Sequence, residues 1–110
     1  MLKLPPHVTI ALGLALNPLC QAQTKKPTNV GISVQDLGNP FFVQIVHGAE
    51  AKVKEINPAA KITSLSCDYD PTRQSGQMDD FISGGVDLVI LNAANSKSIQ
   101  RNNARYMRRP

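Results

Sequence analysis

Tryptophan is absent from this chain and cysteine is scarce, with only Cys20 and Cys67 among 110 residues. Cys20 falls in an N-terminal leader, so the body holds Cys67 alone and cannot close an internal disulfide. Small exported domains commonly rely on such staples, and this one must be held by packing instead. Histidine is equally sparse, and His47 has no second imidazole near it in sequence, which excludes a histidine-based metal site. No Ser-His-Asp or Cys-His set can be assembled from the ordered elements, so the chain is read as a non-enzyme. Glycine lacks the spacing of a dinucleotide or phosphate cradle: Gly31 lies inside an apolar run, and only Gly38 sits in the loop that follows. No phosphate cofactor, and no cofactor of any kind, is therefore expected. Finally, no apolar stretch approaches the roughly 20 residues that a membrane span needs.

Charge of one sign is also missing from the body. The chain carries a formal +4, but residues 23–99 hold seven basic groups against eight acidic ones, a net −1. The excess is located in Lys3 and in the tail "QRNNARYMRRP", which has four arginines and no acid. A basic tail and leader are not a basic folded surface, and nucleic acid is excluded as a partner.

The first residues read as a secretory signal over 1–22: Lys3, then the apolar "VTIALGLAL", then Cys20-Gln21-Ala22, with small residues at the −3 and −1 positions of a cut after Ala22. A short amphipathic helix is the alternative. Leu19 stands where a lipobox needs Gly, Ala or Ser, which counts against a lipid anchor at Cys20. Export to the periplasm follows, with no stable membrane insertion.

After a polar linker at 23–29, one pattern recurs. "VGISV" (30–34) is a short β-rich run. From residue 41 to 56, Phe42, Ile45, Val46, Ala49, Val53 and Ile56 trace one face of a helix, with Asn39 as cap, Pro40 at its first position and Asn57-Pro58 as stop. "KITSLSC" (61–67) reads as a strand less buried than the first. Asp70-Pro71 opens a second helix at 72–83 with Met78, Phe81 and Ile82 inward, closed by Gly84-Gly85. "DLVIL" (87–91) reads as a strand covered on both faces, and Ser96 caps a third helix that barely begins. Strand, helix, strand, helix, strand predicts an α/β fold: a Rossmann-like three-layer parallel sheet with right-handed crossovers.

Ligands of open parallel sheets sit at the carboxyl ends of strands. The loops predicted there, 35–40, 68–71 and 92–95, are rich in Asn and Asp, which offer donors and acceptors to a polar ligand. In the first of them "NPFF" sets an amide beside two rings. Phe42 continues the helix stripe and stands evenly between core and ligand; Phe41 lies off the stripe and favours the ligand. A carbohydrate fits this pairing, because C–H groups on one ring face lie well on an aromatic plane while each unpaired hydroxyl costs roughly 1–3 kcal/mol. Asp36, Asp68 and Asp70 read as caps and turn formers, Cys67 as a small buried hydrophobe, and Asp79-Asp80 as a solvated face.

"VGISVQDLGNPFFVQIVHGAEAKVKE" and "SCDYDPTRQSGQMDDFISGGVDLVILNAANSKSI", together with the leader, resemble the N-terminal third of a ribose-type periplasmic sugar-binding protein, the solute receptor of an ABC importer, over residues 29–99. The resemblance implies a partial N-terminal lobe of a two-lobe receptor that closes on a monosaccharide. It also implies a permease as partner. Carried over residue by residue, it assigns ligand contact to Asn39, Phe41, Phe42 and Asn92. It breaks at residues 100–110, where the arginine-rich tail replaces the family's continuation; a truncated or frame-shifted product is the simplest account, set against a natural one-lobe protein. Three parallel strands alone would leave an open sheet edge. A nonfunctional remnant, a sugar-responsive regulator of the lactose-repressor type and a nucleotide-dependent enzyme are the competing readings. The regulator lacks a helix-turn-helix, and the enzyme lacks the glycine motifs and catalytic groups it would need.

Overall fold

A computed structural model of the chain describes residues 25–108; the leader read at 1–22 lies outside them. The order is β1 (Asn29–Val34), α1 (Pro40–Ile56), β2 (Lys61–Ser66), α2 (Pro71–Ser83), β3 (Leu88–Leu91) and α3 (Ser96–Met107). The strands form one parallel sheet in the order β2-β1-β3. Ile32 of β1 sits level with Ser64 of β2 and Ile90 of β3. The α/β expectation is met, with β1 central and one helix layer on each face.

Side-chain alternation along β1 divides the core. Val30, Ile32 and Val34 face α1 and pack with Phe42, Val46, Val53 and Ala60, flanked by Ile62 and Ile90. The intervening positions face α2, where Met78, Phe81 and Val86 pack with Leu65, Val89 and Leu91. Period 2 on the strand and 3.6 on the helices thus meet on both faces.

Helix α1 starts where the sequence indicated. Asn39 is extended, its Oδ1 accepts from the Phe41 N–H at 3.0 Å, and Pro40 follows. Asp70 does the same for α2, accepting from Thr72 and Arg73. Helix α2 ends on a Schellman motif: Val86 N–H reaches the Phe81 carbonyl, Gly85 N–H reaches that of Ile82, and Gly85 takes φ +72°. Val86 and Phe81 then touch as the motif's apolar pair.

The observed elements depart from expectation in several places: Ile82, expected inward on α2, is only partly buried, Ser96, expected as a cap, is the first residue of α3, and three further departures concern α1, β3 and α3. Ile56, placed on the inner stripe of α1, is 41% exposed and lines a cavity with Lys25, Lys26 and Pro27. β3 was expected to be covered on both faces, yet Leu88 is exposed and the rest only partly buried, since β3 has a neighbour on one side alone among the described residues. Helix α3, expected barely to begin, continues through the arginine-rich stretch to Met107 and lies along α2. Residues 96–107 contain no proline or glycine to stop it.

Among the described residues, no helix is long and apolar enough to cross a membrane. At the amino ends of the strands, Asp87 accepts from the Thr28 hydroxyl at 2.7 Å and from the Thr28 and Asn29 amides, clasping the start of β1 to that of β3. Burial pushes this carboxyl up, but the hydrogen bonds from the Thr28 hydroxyl and the two amides outweigh it and hold Asp87 below its ordinary value.

Candidate functional site

All three strands point their carboxyl ends the same way, so the loops at 35–39, 67–70 and 92–95 form one rim. Backbone and side-chain bonds join them. Tyr69 N–H donates to the Gln35 carbonyl at 3.0 Å, and Cys67 N–H to that of Val34 at 2.9 Å. Gln35 Nε2 donates to the Ala93 carbonyl at 2.7 Å. The central loop after β1 is therefore tied to both outer ones.

Two rings meet at the start of α1. Phe41 is 65% exposed, whereas Phe42 is 8% exposed and belongs to the core on the α1 face. Residues adjacent on a helix point about 100° apart, and the inner stripe takes Phe42. The rings meet edge to face with centroids 5.1 Å apart. A third aromatic, Tyr69, meets Phe42 edge to face at 6.1 Å and is itself more than half exposed. Tyr69 was not among the residues that the sequence singled out in the loop at 68–71.

The turn that places Tyr69 is strained. Asp68 and Tyr69 take φ values of 51° and 61° in succession, a left-handed conformation that side chains other than glycine adopt at a cost. Asp68 holds it by accepting from Ser66 Oγ at 2.7 Å and pairing with Arg73 of α2. Ser66 Oγ in turn accepts from the Leu37 amide at 3.3 Å, which links this turn to the loop after β1. Asp36 accepts from Gly38 N–H at 2.8 Å, and Asp70 caps α2; these acids serve as turn formers and caps. Cys67, fully buried, has its thiol pushed up by desolvation, which outweighs nearby amide hydrogen bonds.

The Asn39 amide oxygen is used by the helix cap, which leaves its nitrogen as a donor on a half-buried side chain. Asn92 directly follows β3, with its N–H bonded to the Ser33 carbonyl at 2.8 Å. Its Oδ1 is buried and has no hydrogen-bond partner among the described residues. An orphaned carbonyl oxygen of this kind costs roughly 1–3 kcal/mol, which a donor would relieve only if the side chain turned outward.

Behind the rim lies a polar cluster that the sequence did not disclose. Ser33 and Gln74 are fully buried and Gln77 nearly so. Ser33 Oγ donates to Gln77 Oε1 at 2.7 Å and accepts from Gln74 Nε2 at 3.0 Å; Gln77 Nε2 donates to the Ser66 carbonyl at 2.8 Å. The available signal was the spacing: Gln74, Gln77, Met78 and Phe81 lie on one α2 face, so the inner stripe includes two amides.

Concave surface lies elsewhere. A cavity of about 420 Å³ opens between α1 and the outer edge of β2, lined by His47, Glu50, Ala51, Lys54 and Ile62. A second, of about 340 Å³, lies near the amino ends around Lys25, Lys26, Pro27 and Ile56. Neither touches the rim. We take the rim as the site because exposed aromatic surface, an orphaned amide oxygen and two left-handed residues lie along it, whereas the cavity beside β2 has no buried polar side-chain atom without a partner among the described residues.

Comparison with known proteins gives the family of the chain. A family model for the periplasmic binding protein domain matches residues 30–108, a span that takes in most of the arginine-rich tail. The ribose import binding protein RbsB of Bacillus subtilis (strain 168) is 30% identical, over 89% of this chain and 35% of its own length. Its namesake from Haemophilus influenzae is 28% identical, over 82% of this chain and 29% of its own length. The chain thus spans about a third of the length of these relatives. With the family match running from β1 through α3, the chain belongs to the periplasmic binding protein domain family.

Proposed function

We propose that the chain supplies one wall of a monosaccharide site, as the substrate-binding component of an ABC-type sugar importer in the periplasm. Residues 1–22 would be the export signal and a permease the downstream partner. The ligand is ribose or a close relative, a reading supported by the two relatives named for ribose import. The observation that carries the proposal is the exposed Phe41 ring, propped edge-on by Phe42 at the carboxyl edge of the sheet. A solvent-facing phenyl of that kind has no folding role that burial would reward. It offers a flat apolar plane for one face of a sugar ring.

The amides complete the chemistry. Asn39 Nδ2 donates to a sugar oxygen, and Asn92 accepts from a hydroxyl once its side chain turns the buried Oδ1 toward the rim. Phe42 sets the angle of Phe41 and contributes the edge that its small exposure leaves open. The site needs no covalent chemistry, only complementarity.

One wall makes only part of the contacts that a closed cleft makes, and each 1.4 kcal/mol not gained weakens binding about tenfold. D-ribose should accordingly bind this chain with a Kd in the millimolar range or weaker. The test is a titration of the ¹⁵N-labelled chain with D-ribose to about 100 mM, a concentration that reads such weak constants. Shifts should gather at Asn39, Phe41, Phe42 and Asn92, and Phe41→Ala should abolish them. A rim that does not respond would sink the proposal, as would micromolar affinity for the single-wall account.

A further inference from the structure

The loop that carries Asn92 is short and polar, and the pattern of its hydrogen bonds is unusual. Two side-chain amides from elsewhere in the chain hold its backbone. Gln74 Nε2 donates to the Asn92 carbonyl at 2.9 Å, while Gln74 Oε1 accepts from the Ala94 N–H at 2.8 Å. One primary amide thereby spans residue 93 as a neighbouring strand would, with a donor to one carbonyl and an acceptor for the next-but-one N–H. From the loop after β1, Gln35 Nε2 takes the carbonyl between them, that of Ala93, at 2.7 Å. Ser33 Oγ, accepting from the same Gln74 nitrogen, fixes the orientation of the amide.

We propose that Gln74 and Gln35 are positioning residues of the site, a two-amide clamp on the 92–94 backbone that fixes where Asn92 stands behind the rim. The inference rests on the sugar-site reading for its functional consequence, although the clamp itself stands on geometry alone. A glutamine costs more to bury than the leucine its helix position would otherwise take, because each amide atom must find a partner. Gln74 is fully buried, and its side-chain amide bonds Ser33 and this loop. With the backbone groups at 92, 93 and 94 satisfied from outside, the Asn92 amide is not drawn into capping its own turn, the usual local use of an asparagine there. Its Oδ1 stands without a partner among the described residues for that reason.

Gln77 provides the control. It is buried on the same helix face and bonds the same Ser33, but its other bond goes to the Ser66 carbonyl at the end of β2 and not to the 92–94 loop. Gln74→Leu and Gln77→Leu each remove one buried amide of equal size. Amide hydrogen exchange of the full chain without sugar should show Ala94 faster by at least about tenfold in Gln74→Leu, relative to the Ile32 amide in the same sample. In Gln77→Leu the same ratio should stay near its parent value. Equal acceleration in both variants, or in neither, overturns the clamp. If Gln74→Leu does not fold, Gln35→Ala carries the test: Gln35 is only half-buried, and loosening of the 92–94 amides is again expected, while an unchanged loop overturns the proposal.

In the D-ribose titration, Gln74→Leu should lower affinity by about fivefold or more while Gln77→Leu holds it within about twofold. A parent chain that ignores ribose refutes the sugar reading. The exchange experiment decides the clamp in either case.

Discussion

Gly31 lies in the middle of β1 on the face that meets α2, and a methyl group added there would sit 2.8 Å from three carbon atoms of the Phe81 ring. Carbon pairs are most stable at about 3.5–4.0 Å, so the ring would have to retreat by roughly 0.7–1.2 Å. Neither side yields easily. β1 is paired on both edges, Gly31 standing level with Thr63 and Val89. Phe81 is 3% exposed and is held by Met78, Val86, Leu65, Val89 and Leu91. A planar ring has no flexible end to swing away.

Overpacking of this kind costs about 1–3 kcal/mol. Replacing glycine within a strand returns about 0.5–1 kcal/mol by reducing the freedom of the unfolded chain. The net expectation for Gly31→Ala is a loss of up to about 2.5 kcal/mol, centred near 1, a large share of the few kcal/mol that hold a domain this small. In urea, with a slope of about 1 kcal/mol/M for this size, the midpoint should fall by about 1 M. Phe81→Leu in the Gly31→Ala background should recover part of the loss, giving a coupling of about 1 kcal/mol between sites that touch. A midpoint that stays put or rises, or strictly additive effects in the double variant, would refute the contact as the reason glycine occupies this position.

Asp87→Ala should lower stability at neutral pH by about 1 kcal/mol, the usual worth of charge-assisted bonds at an exposed clasp. Because the folded carboxyl titrates below its ordinary 3.8, this contribution is complete above that value and lost as pH falls through the lowered one. The gap between variant and parent should therefore close in acid melts, and a gap that persists at low pH would count against the clasp. Cys67, buried and with its thiol pushed up, should react with a neutral disulfide reagent only as fast as the chain opens, and urea should accelerate labelling steeply. Rapid labelling of Cys67 itself in the native chain at neutral pH, read by peptide mapping apart from Cys20, would contradict the buried turn.

Periodicity and caps were enough to indicate most of this fold. The 3.6-residue stripe from Phe42 to Val53, the Asn39-Pro40 and Asp70-Pro71 starts and the Gly84-Gly85 stop all form locally, so they leave local signals. Phe41 could be separated from Phe42 by the same argument, since only one of two adjacent helical rings can face the sheet. Tertiary facts were harder to read. The exposure of Leu88 depends on which strands neighbour β3, and sheet order is not a property of any single segment. Tyr69 depends on two left-handed residues stabilised by Ser66 and Arg73, partners that sequence alone does not pair. Gln74 and Gln77 resemble a solvated face until the register of α2 against β1 places Ser33 opposite them.

Helix α2 therefore serves two ends of the molecule with one face. Phe81 near its end fills the space that Gly31 vacates, and Gln74, seven residues earlier and about two turns away, reaches the loop after β3. A shift of the helix away from the sheet at Phe81 would carry Gln74 with it, because a helix moves as a rigid rod over so short a length. Close packing at Gly31 and the exact reach of the Gln74 amide are then a single requirement on where α2 sits. That gives a physical reason for the absent side chain at residue 31: helix and sheet must approach closely enough for a buried glutamine to hold the backbone beneath Asn92. Gly31→Ala should for that reason loosen the Ala94 amide as well as lower stability, even though the two residues share no contact.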